Sequence, residues 1–360
     1  MASSSKSDDA SNQSRRDFIK IGGTAVTTLL AQAVLSQSAQ AANIAAPEPA
    51  STTPNAMPVR NLGRTGFRVG IFGLGGQGAL EVSNNDAVAV PIIEKALDLG
   101  VNYLDTSSIY GRDRCSERYL GQVMKRRRKE AYLASKTRER TRDASLRMLE
   151  ESLKLLNTDH LDLWQLHDIG TPEEVETIFG KGGAMEALIE AKEQKIVRHL
   201  GVTGHHRPDV LLNSIRRFPF DTILMTLNAA DKHHFSFMEE LLSTAVEKQM
   251  GIIGMKVTAR GRILSSWTPP PLEKQEHSWE GSGAIAKTPG TITMREAMYY
   301  TLSLPVSTAI VGCDSVAQLE ENVQLAREFT PFSEKQLAAL SEKTEPISKQ
   351  ALFFRFLKRG

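Results

Sequence analysis

Three ionisable residues recur at equal intervals along the chain. Asp105, Lys136 and His167 are each 31 residues from the next, and Tyr110 follows the first of them closely. A βα unit occupies about 30 residues, so the interval predicts one group per unit, at matched height on adjacent strands. A carboxylate and an ammonium neutralise each other, which offsets the cost of burying either. A phenol beside that ammonium is expected to have its pKa, ordinarily about 10, lowered toward the range useful for acid–base work. A neighbouring imidazole supplies a hydrogen bond that orients a carbonyl oxygen. Together the four groups suit one task, giving a proton to an oxygen that turns negative as hydride arrives at its carbon. The competing interpretation, a structural Asp–Lys pair beside a core histidine, accounts for each residue singly but not for four at matched positions.

The elements that must position these groups alternate. Short apolar runs at 69–74, 101–105, 131–136, 161–167, 196–203, 222–228, 252–257 and 308–312 read as strands. Between them, apolar residues at helical spacing predict helices at 90–99, 117–124, 144–156, 184–191, 237–247 and 316–326, with Gly100 and Gly251 as stops. Strands that are apolar throughout imply a parallel sheet buried on both faces. Eight such units imply an α/β fold closed into a (β/α)8 TIM barrel over residues 58–330. A hairpin at 59–69, turning at Gly63 or Gly66, is expected to plug its bottom. Residues 331–360 are expected to add one or two helices, with Phe353-Phe354-Arg355-Phe356-Leu357 packed on the barrel. The segment 258–291, which holds Trp267, Pro269-Pro270-Pro271 and Trp279, is long enough to be a substrate lid. A rival fold is suggested by Gly73-Leu74-Gly75-Gly76-Gln77-Gly78, which satisfies the G-x-G-x-x-G pattern of an open dinucleotide-binding sheet. That pattern needs a helix opening on the glycines and an acid about 20 residues on. Here residues 81–86 are polar and turn-like, so Gly75 and its neighbours are expected to shape a tight loop that a ligand or backbone approaches.

At this point the chain resembles the aldo-keto reductase family. The matching stretches are Leu62-Gly63-Arg64-Thr65-Gly66, Asp105-Thr106-Ser107-Ser108-Ile109-Tyr110-Gly111, Ser116-Glu117-Arg118-Tyr119-Leu120-Gly121, Ala134-Ser135-Lys136, Leu166-His167, Gly201-Val202-Thr203 and Gln318-Leu319-Glu320-Glu321-Asn322. The resemblance implies a catalytic tetrad of Asp105, Tyr110, Lys136 and His167. Tyr110 would be the general acid, Lys136 would tune it, Asp105 would hold the lysine and His167 would orient the substrate carbonyl. It further implies NADP or NAD extended across the barrel mouth, no metal, and a small carbonyl or alcohol substrate such as an aldehyde, ketone or sugar. Cofactor contacts are then expected from Gly75, Thr203, Asn228, Lys256, Gly312, Asp314, Gln318, Glu321 and Asn322. Several depart from the family pattern. Gly204 stands where an asparagine is usual and Leu224 where a glutamine is usual. Gly254-Met255-Lys256-Val257 replaces the aromatic that stacks on the nicotinamide. Lys256 either reaches the diphosphate or braces the mouth. Gly312, Gln318 and the nearby Asp314 occupy the place of basic residues that read a 2′-phosphate, and an acid there suits a free ribose hydroxyl better. Both dinucleotides stay open.

The first 42 residues have a different character. Ser14-Arg15-Arg16-Asp17-Phe18-Ile19-Lys20, a mild apolar stretch and Ala39-Gln40-Ala41 are the parts of a secretory signal, cleaved near Ala41-Ala42. The paired arginines resemble a bacterial twin-arginine signal, which implies the twin-arginine export machinery as a partner and a periplasmic destination. Residues 43–57 read as a flexible linker. The apolar stretch is too short and interrupted for stable membrane insertion. A net charge of +2 gives no electrostatic argument for nucleic acid. The basic run 125–129 suits a helix end, and Cys115 and Cys313 suit core or loop positions. Two other functions compete: a barrel that binds cofactor without turnover, and a metal-dependent hydrolase using His167, His205, His206, His233 and His234.

Overall fold

The computed structural model describes residues 56–275 and 284–356. The expected export signal, most of the linker, and Trp279 of the expected lid lie outside these residues. Eight parallel strands close into a barrel: β3 (Phe72–Gly78), β4 (Tyr103–Asp105), β5 (Tyr132–Thr137), β6 (Leu161–Leu166), β7 (Val197–Gly204), β8 (Thr222–Thr226), β9 (Gly251–Met255) and β10 (Thr308–Cys313). β10 pairs with both β9 and β3, completing the ring. The barrel helices are α1 (Asp86–Asp98), α2 (Cys115–Arg127), α3 (Arg142–Leu155), α4 (Pro172–Phe179), α5 (Ala184–Glu193), α6 (Pro208–Arg217), α7 (Glu240–Glu247), α8 (Met294–Ser303) and α9 (Val316–Arg327), followed by α10 (Glu334–Thr344) and α11 (Ser348–Ala351).

The barrel interior is filled from below by the antiparallel hairpin of β1 (Val59–Asn61) and β2 (Arg68–Gly70). Leu62 and Val69 join Tyr103, Tyr132, Leu163 and Ile253 in one buried cluster, with Phe67 packed against it. The turn is bound tightly to the strand starts. Arg64 donates to the carbonyls of Lys248, Pro219 and Phe220 at 2.6–2.8 Å. Gly63 has a positive φ of 52°, and a Cβ there would lie 2.2 Å from the Gly251 nitrogen, so no other residue fits without displacing β9. Met57, placed by the sequence at the end of a linker, is already buried beside this hairpin.

Two elements differ from expectation. The run 69–74 is not one strand: Arg68–Gly70 belongs to the hairpin, and the barrel strand begins at Phe72. The glycines expected in a loop are therefore strand residues. Glycine-rich sequence has little strand propensity, but here close packing requires it. A Cβ at Gly76 would lie 2.5 Å from the Asp105 carbonyl oxygen. Helix α1 begins at Asp86, upstream of the expected start, because the N–H groups of Val88 and Ala89 close on the Asn85 carbonyl before Pro91 interrupts the ladder. Among the described residues no helix is long and apolar enough to cross a membrane.

Candidate active site

Strand register decides where the spaced residues stand. Asp105 pairs with Ala134, and Ala134 with Leu163. Lys136 and His167 are therefore two and four positions beyond the ladder partners of Asp105. The equal spacing does not put the three at one height, because spacing counts residues along the chain whereas strand tilt and stagger set height. The offsets are even, so all three side chains keep the inward face of Ala134 and Leu163. The long Lys136 side chain spans the difference.

Lys136 Nζ donates to an Asp105 carboxylate oxygen, to the Thr106 carbonyl at 2.7 Å and to Tyr110 Oη at 3.4 Å. Its ammonium also lies 4.9 Å from the centre of the Tyr110 ring. Gln165, which the sequence did not single out, donates to the second Asp105 oxygen at 3.4 Å. It lies two residues before His167, and the same inward parity marks it. The His167 ring stands edge-on to Tyr110, 5.7 Å between centres, and its Nδ1 lies 3.0 Å from Ser107 Oγ. Arg140 holds the backbone here by donating to the carbonyls of His167 at 3.0 Å and Asp168 at 3.3 Å.

Burial dominates the protonation of these groups. It pushes the Asp105 carboxyl up, against the Lys136 charge, and pulls the Lys136 ammonium down, against the Asp105 charge. It raises the Tyr110 phenol well above its ordinary value, and the carboxylates of Asp105, Glu81 and Asp168 add to the rise. This runs against the expected lowering: desolvation of a phenolate, with those carboxylates, outweighs the positive charge of Arg260 that opposes it. Tyr110 is thus held protonated, as an acid requires. Burial and the Lys136 charge bring His167 well below its usual value, so the imidazole is neutral.

Above Tyr110 opens a cavity of about 570 Å³, within the size range of small-ligand sites. Its lining includes Asp105, Tyr110, Met255, Gln77, Glu81, Lys256 and Arg260. Of the residues expected to contact cofactor, Gly75, Lys256, Gly312, Asp314, Gln318, Glu321 and Asn322 all border it. Thr203 and Asn228 are buried and not part of that lining. Thr203 Oγ1 accepts from the Asp168 N–H at 2.8 Å. The Asn228 amide bonds the Lys256 carbonyl and the Ala230 N–H, both at 3.0 Å, so it braces the β9 loop. Lys256 Nζ donates to Gln77 at 2.9 Å, Gln77 donates to Glu81 at 3.0 Å, and Arg260 pairs with Glu81 at 3.3 Å. Two cationic side chains beside a wall of small glycines suit a phosphorylated ligand that approaches backbone closely. A nicotinamide dinucleotide fits this donor set.

The match to known proteins follows the same outline. The family model described as "Aldo/keto reductase family" matches residues 69–345. The chain belongs to the aldo/keto reductase family. Its relatives include an uncharacterized oxidoreductase, YqkF, of Bacillus subtilis, 28% identical over 80% of this chain and 97% of that protein. An L-galactose dehydrogenase of Arabidopsis thaliana is 29% identical over 80% and 95%. Among solved structures, the holo form of aldo-keto reductase AKR11C1 from Bacillus halodurans superposes with a TM-score of 0.63. It is 26% identical, and the match covers 80% of this chain and 96% of that one. This aldo/keto reductase is thus an α/β barrel of an oxidoreductase family that uses nicotinamide dinucleotides. The histidines considered as metal ligands engage protein groups instead: His205 meets Asp168 at 2.8 Å, His233 the Ser341 carbonyl at 2.8 Å and His234 the Ser348 hydroxyl at 3.2 Å. No group of three or more potential ligands gathers among the described residues.

Proposed function

We propose that the chain is a nicotinamide-dependent carbonyl reductase, or in reverse an alcohol dehydrogenase, with Tyr110 as its acid. The observation that carries this is a protonated phenol 3.4 Å from a buried ammonium, beside a neutral imidazole, under a cavity suited to a dinucleotide. When bound, the nicotinamide supplies the hydride. Lys256 and Arg260 would hold the diphosphate, and the glycines of β3 and Gly312 would leave room for it beside the backbone. His167 directs the carbonyl oxygen toward Tyr110 Oη. As negative charge grows on that oxygen, Tyr110 donates its proton, and the Lys136 ammonium stabilises the phenolate left behind. Asp105, braced by Gln165, keeps Lys136 charged and aimed. Asp314 and Glu321 put two carboxylates in the lining, and an acid in place of the expected basic residues disfavours a 2′-phosphate, which supports NAD(H) over NADP(H). The L-galactose dehydrogenase among the relatives puts sugars first on the panel of substrates to test.

Tyr110→Phe tests the reading. Carbonyl reduction is expected to fall by roughly 100-fold or more, while dinucleotide affinity, followed by fluorescence titration, stays within about 3-fold, the spread of context effects. The same titrations are expected to show tighter binding of NADH than of NADPH. Turnover that survives loss of the hydroxyl removes Tyr110 from the chemistry.

We further propose that residues 1–42 direct the folded chain to the periplasm through twin-arginine export. The support is the Arg15-Arg16-Asp17-Phe18-Ile19-Lys20 run and the small-residue site at Ala39-Gln40-Ala41. Replacing Arg15 and Arg16 by lysine should leave the protein in the cytoplasmic fraction of a bacterial host. Undiminished periplasmic protein would rule the route out.

A further inference from the structure

The substrate-orienting histidine raises a question that the tetrad leaves unanswered. A neutral imidazole carries one N–H and one lone pair, and only the N–H side can polarise a carbonyl oxygen. If the lone pair faced the cavity, His167 would repel the atom it is meant to hold. Something must therefore choose the tautomer.

Nδ1 of His167 has one partner, the Ser107 hydroxyl at 3.0 Å, and both residues are buried. Nε2 has no partner among the described residues, and it is not one of the buried unpartnered polar atoms, so it opens onto accessible space. Ser107 Oγ already accepts the Ile109 N–H at 3.4 Å. One of its two lone pairs is thereby engaged, and the single hydroxyl hydrogen stays available for Nδ1 to accept. We propose that Ser107 is the positioning residue for His167: its hydroxyl donates to Nδ1 and so holds the imidazole in the form that presents Nε2–H to the substrate oxygen. The inference rests on the carbonyl chemistry proposed above.

The surroundings agree. Burial disfavours a second proton on the ring most strongly, Lys136, His205 and Arg138 add to it, and together they outweigh Asp168, which favours it. A neutral ring has a tautomer to choose. The same residue also sets the acid. The Ser107 carbonyl accepts the Tyr110 N–H at 3.1 Å, closing the turn that carries the phenol over Lys136. One residue thus sets, through its main chain and its side chain, the two groups that face the reacting oxygen. Second partners of this kind, which hold the far nitrogen of a working histidine, act through ring orientation and tautomer.

The test reads the tautomer directly. Ring nitrogens of the full chain are observed by nitrogen-15 NMR, and His167 is assigned by its loss in His167→Gln. The wild type is expected to show Nε2 protonated and Nδ1 bare. Ser107→Ala should shift this toward a mixture and lower kcat by roughly 10-fold, the effect of one lost hydrogen bond, with dinucleotide affinity unchanged. Ser107→Cys, a weaker donor of similar shape, should fall between. A proton on Nδ1 in the wild type overturns the proposal, as does a pure Nε2–H form with full kcat in Ser107→Ala. Should neither serine variant fold, the wild-type spectrum decides alone. The spectrum needs no turnover, so a chain that reduced no carbonyl would sink the proposed function and leave the tautomer to be judged separately.

Discussion

Lys256 sits where burial and its ligand pull the same proton in opposite directions. Burial, with the Arg260 charge next, lowers its ammonium from 10.5 to about 7; Lys136 adds to this, while Glu81 and Asp168 oppose it. Between about 7 and 10.5 the unfolded chain therefore holds a proton that the folded chain has released, and folding stability from this group rises as pH climbs through that window. Dinucleotide binding works the other way. A diphosphate beside Nζ favours the ammonium, so binding takes up a proton, and affinity should fall as pH rises above about 7. Titrations from about pH 6 to about pH 9 are expected to show weakening of up to roughly 100-fold in the wild type, because uptake of one proton on binding costs about 10-fold per pH unit above about 7. Lys256→Met should bind more weakly and lose the slope. An equal slope in that variant would assign the pH dependence to another group. Other residues of the site differ in how far the sequence reveals them. The tetrad is visible because its spacing survives every loop. Gln165 and Ser107 are not singled out, because their partners depend on where strand ends and loop backbones pass in space. The direction in which the Tyr110 phenol moves is hidden for a related reason. A sequence shows that a lysine is near, but not that water is absent.

At the scale of elements, legibility follows the physical signal each element carries. Seven barrel strands read directly because parallel strands buried on both faces are apolar throughout. Strand β3 does not, since Phe-Gly-Leu-Gly-Gly-Gln-Gly owes its extended form to close contact with Asp105 and Gly312 rather than to propensity. Helices α4 and α8 lie outside the periodic segments, yet both begin with a capping box, Thr171 with Glu174 and Thr293 with Glu296. Those pairs are legible to a search for helix starts rather than for periodicity. Helix α6 is short and opens on Pro208, a further start signal. The hairpin is legible too, and Gly63 shows why its turn can be placed: only glycine fits both the positive φ and the contact with β9. Height within the barrel is the feature that spacing misjudges. An interval of 31 residues against a pairing interval of 29 runs two positions ahead of the ladder per strand, more than the roughly one position per strand that an eight-stranded barrel's stagger takes up.

Across the whole molecule, the C-terminal segment is bolted to the loop after β8 by one buried ion pair, Arg355 with Asp231, whose side chains are both fully enclosed. Arg355 also donates to the Asp231 carbonyl and to Thr226 Oγ1, each at 3.1 Å, and its guanidinium lies 4.8 Å from the Phe237 ring centre. The other Asp231 oxygen accepts from Ser236, Phe237 and Met238 at 2.8–3.2 Å. Such a pair is a poor guarantee of net stability, because desolvation offsets much of the attraction, but removing one partner strands the other charge. Arg355→Met is expected to cost about 3 kcal/mol in urea unfolding, and Asp231→Asn on that background should restore part of the loss. A single-variant loss below about 1 kcal/mol, the range of an exposed pair, would mean that water already reaches the aspartate. The effect should extend to catalysis. The bolt holds Phe354 with its ring 6.0 Å from His205, which in turn is 6.5 Å from His167. Loosening the segment releases that side of the site while leaving the cofactor cavity's lining in place. Arg355→Met is therefore expected to raise KM for the carbonyl substrate several-fold, by roughly 1 kcal/mol of lost positioning, with dinucleotide affinity intact. A change in dinucleotide affinity instead would place the bolt's influence on the other side of the barrel mouth.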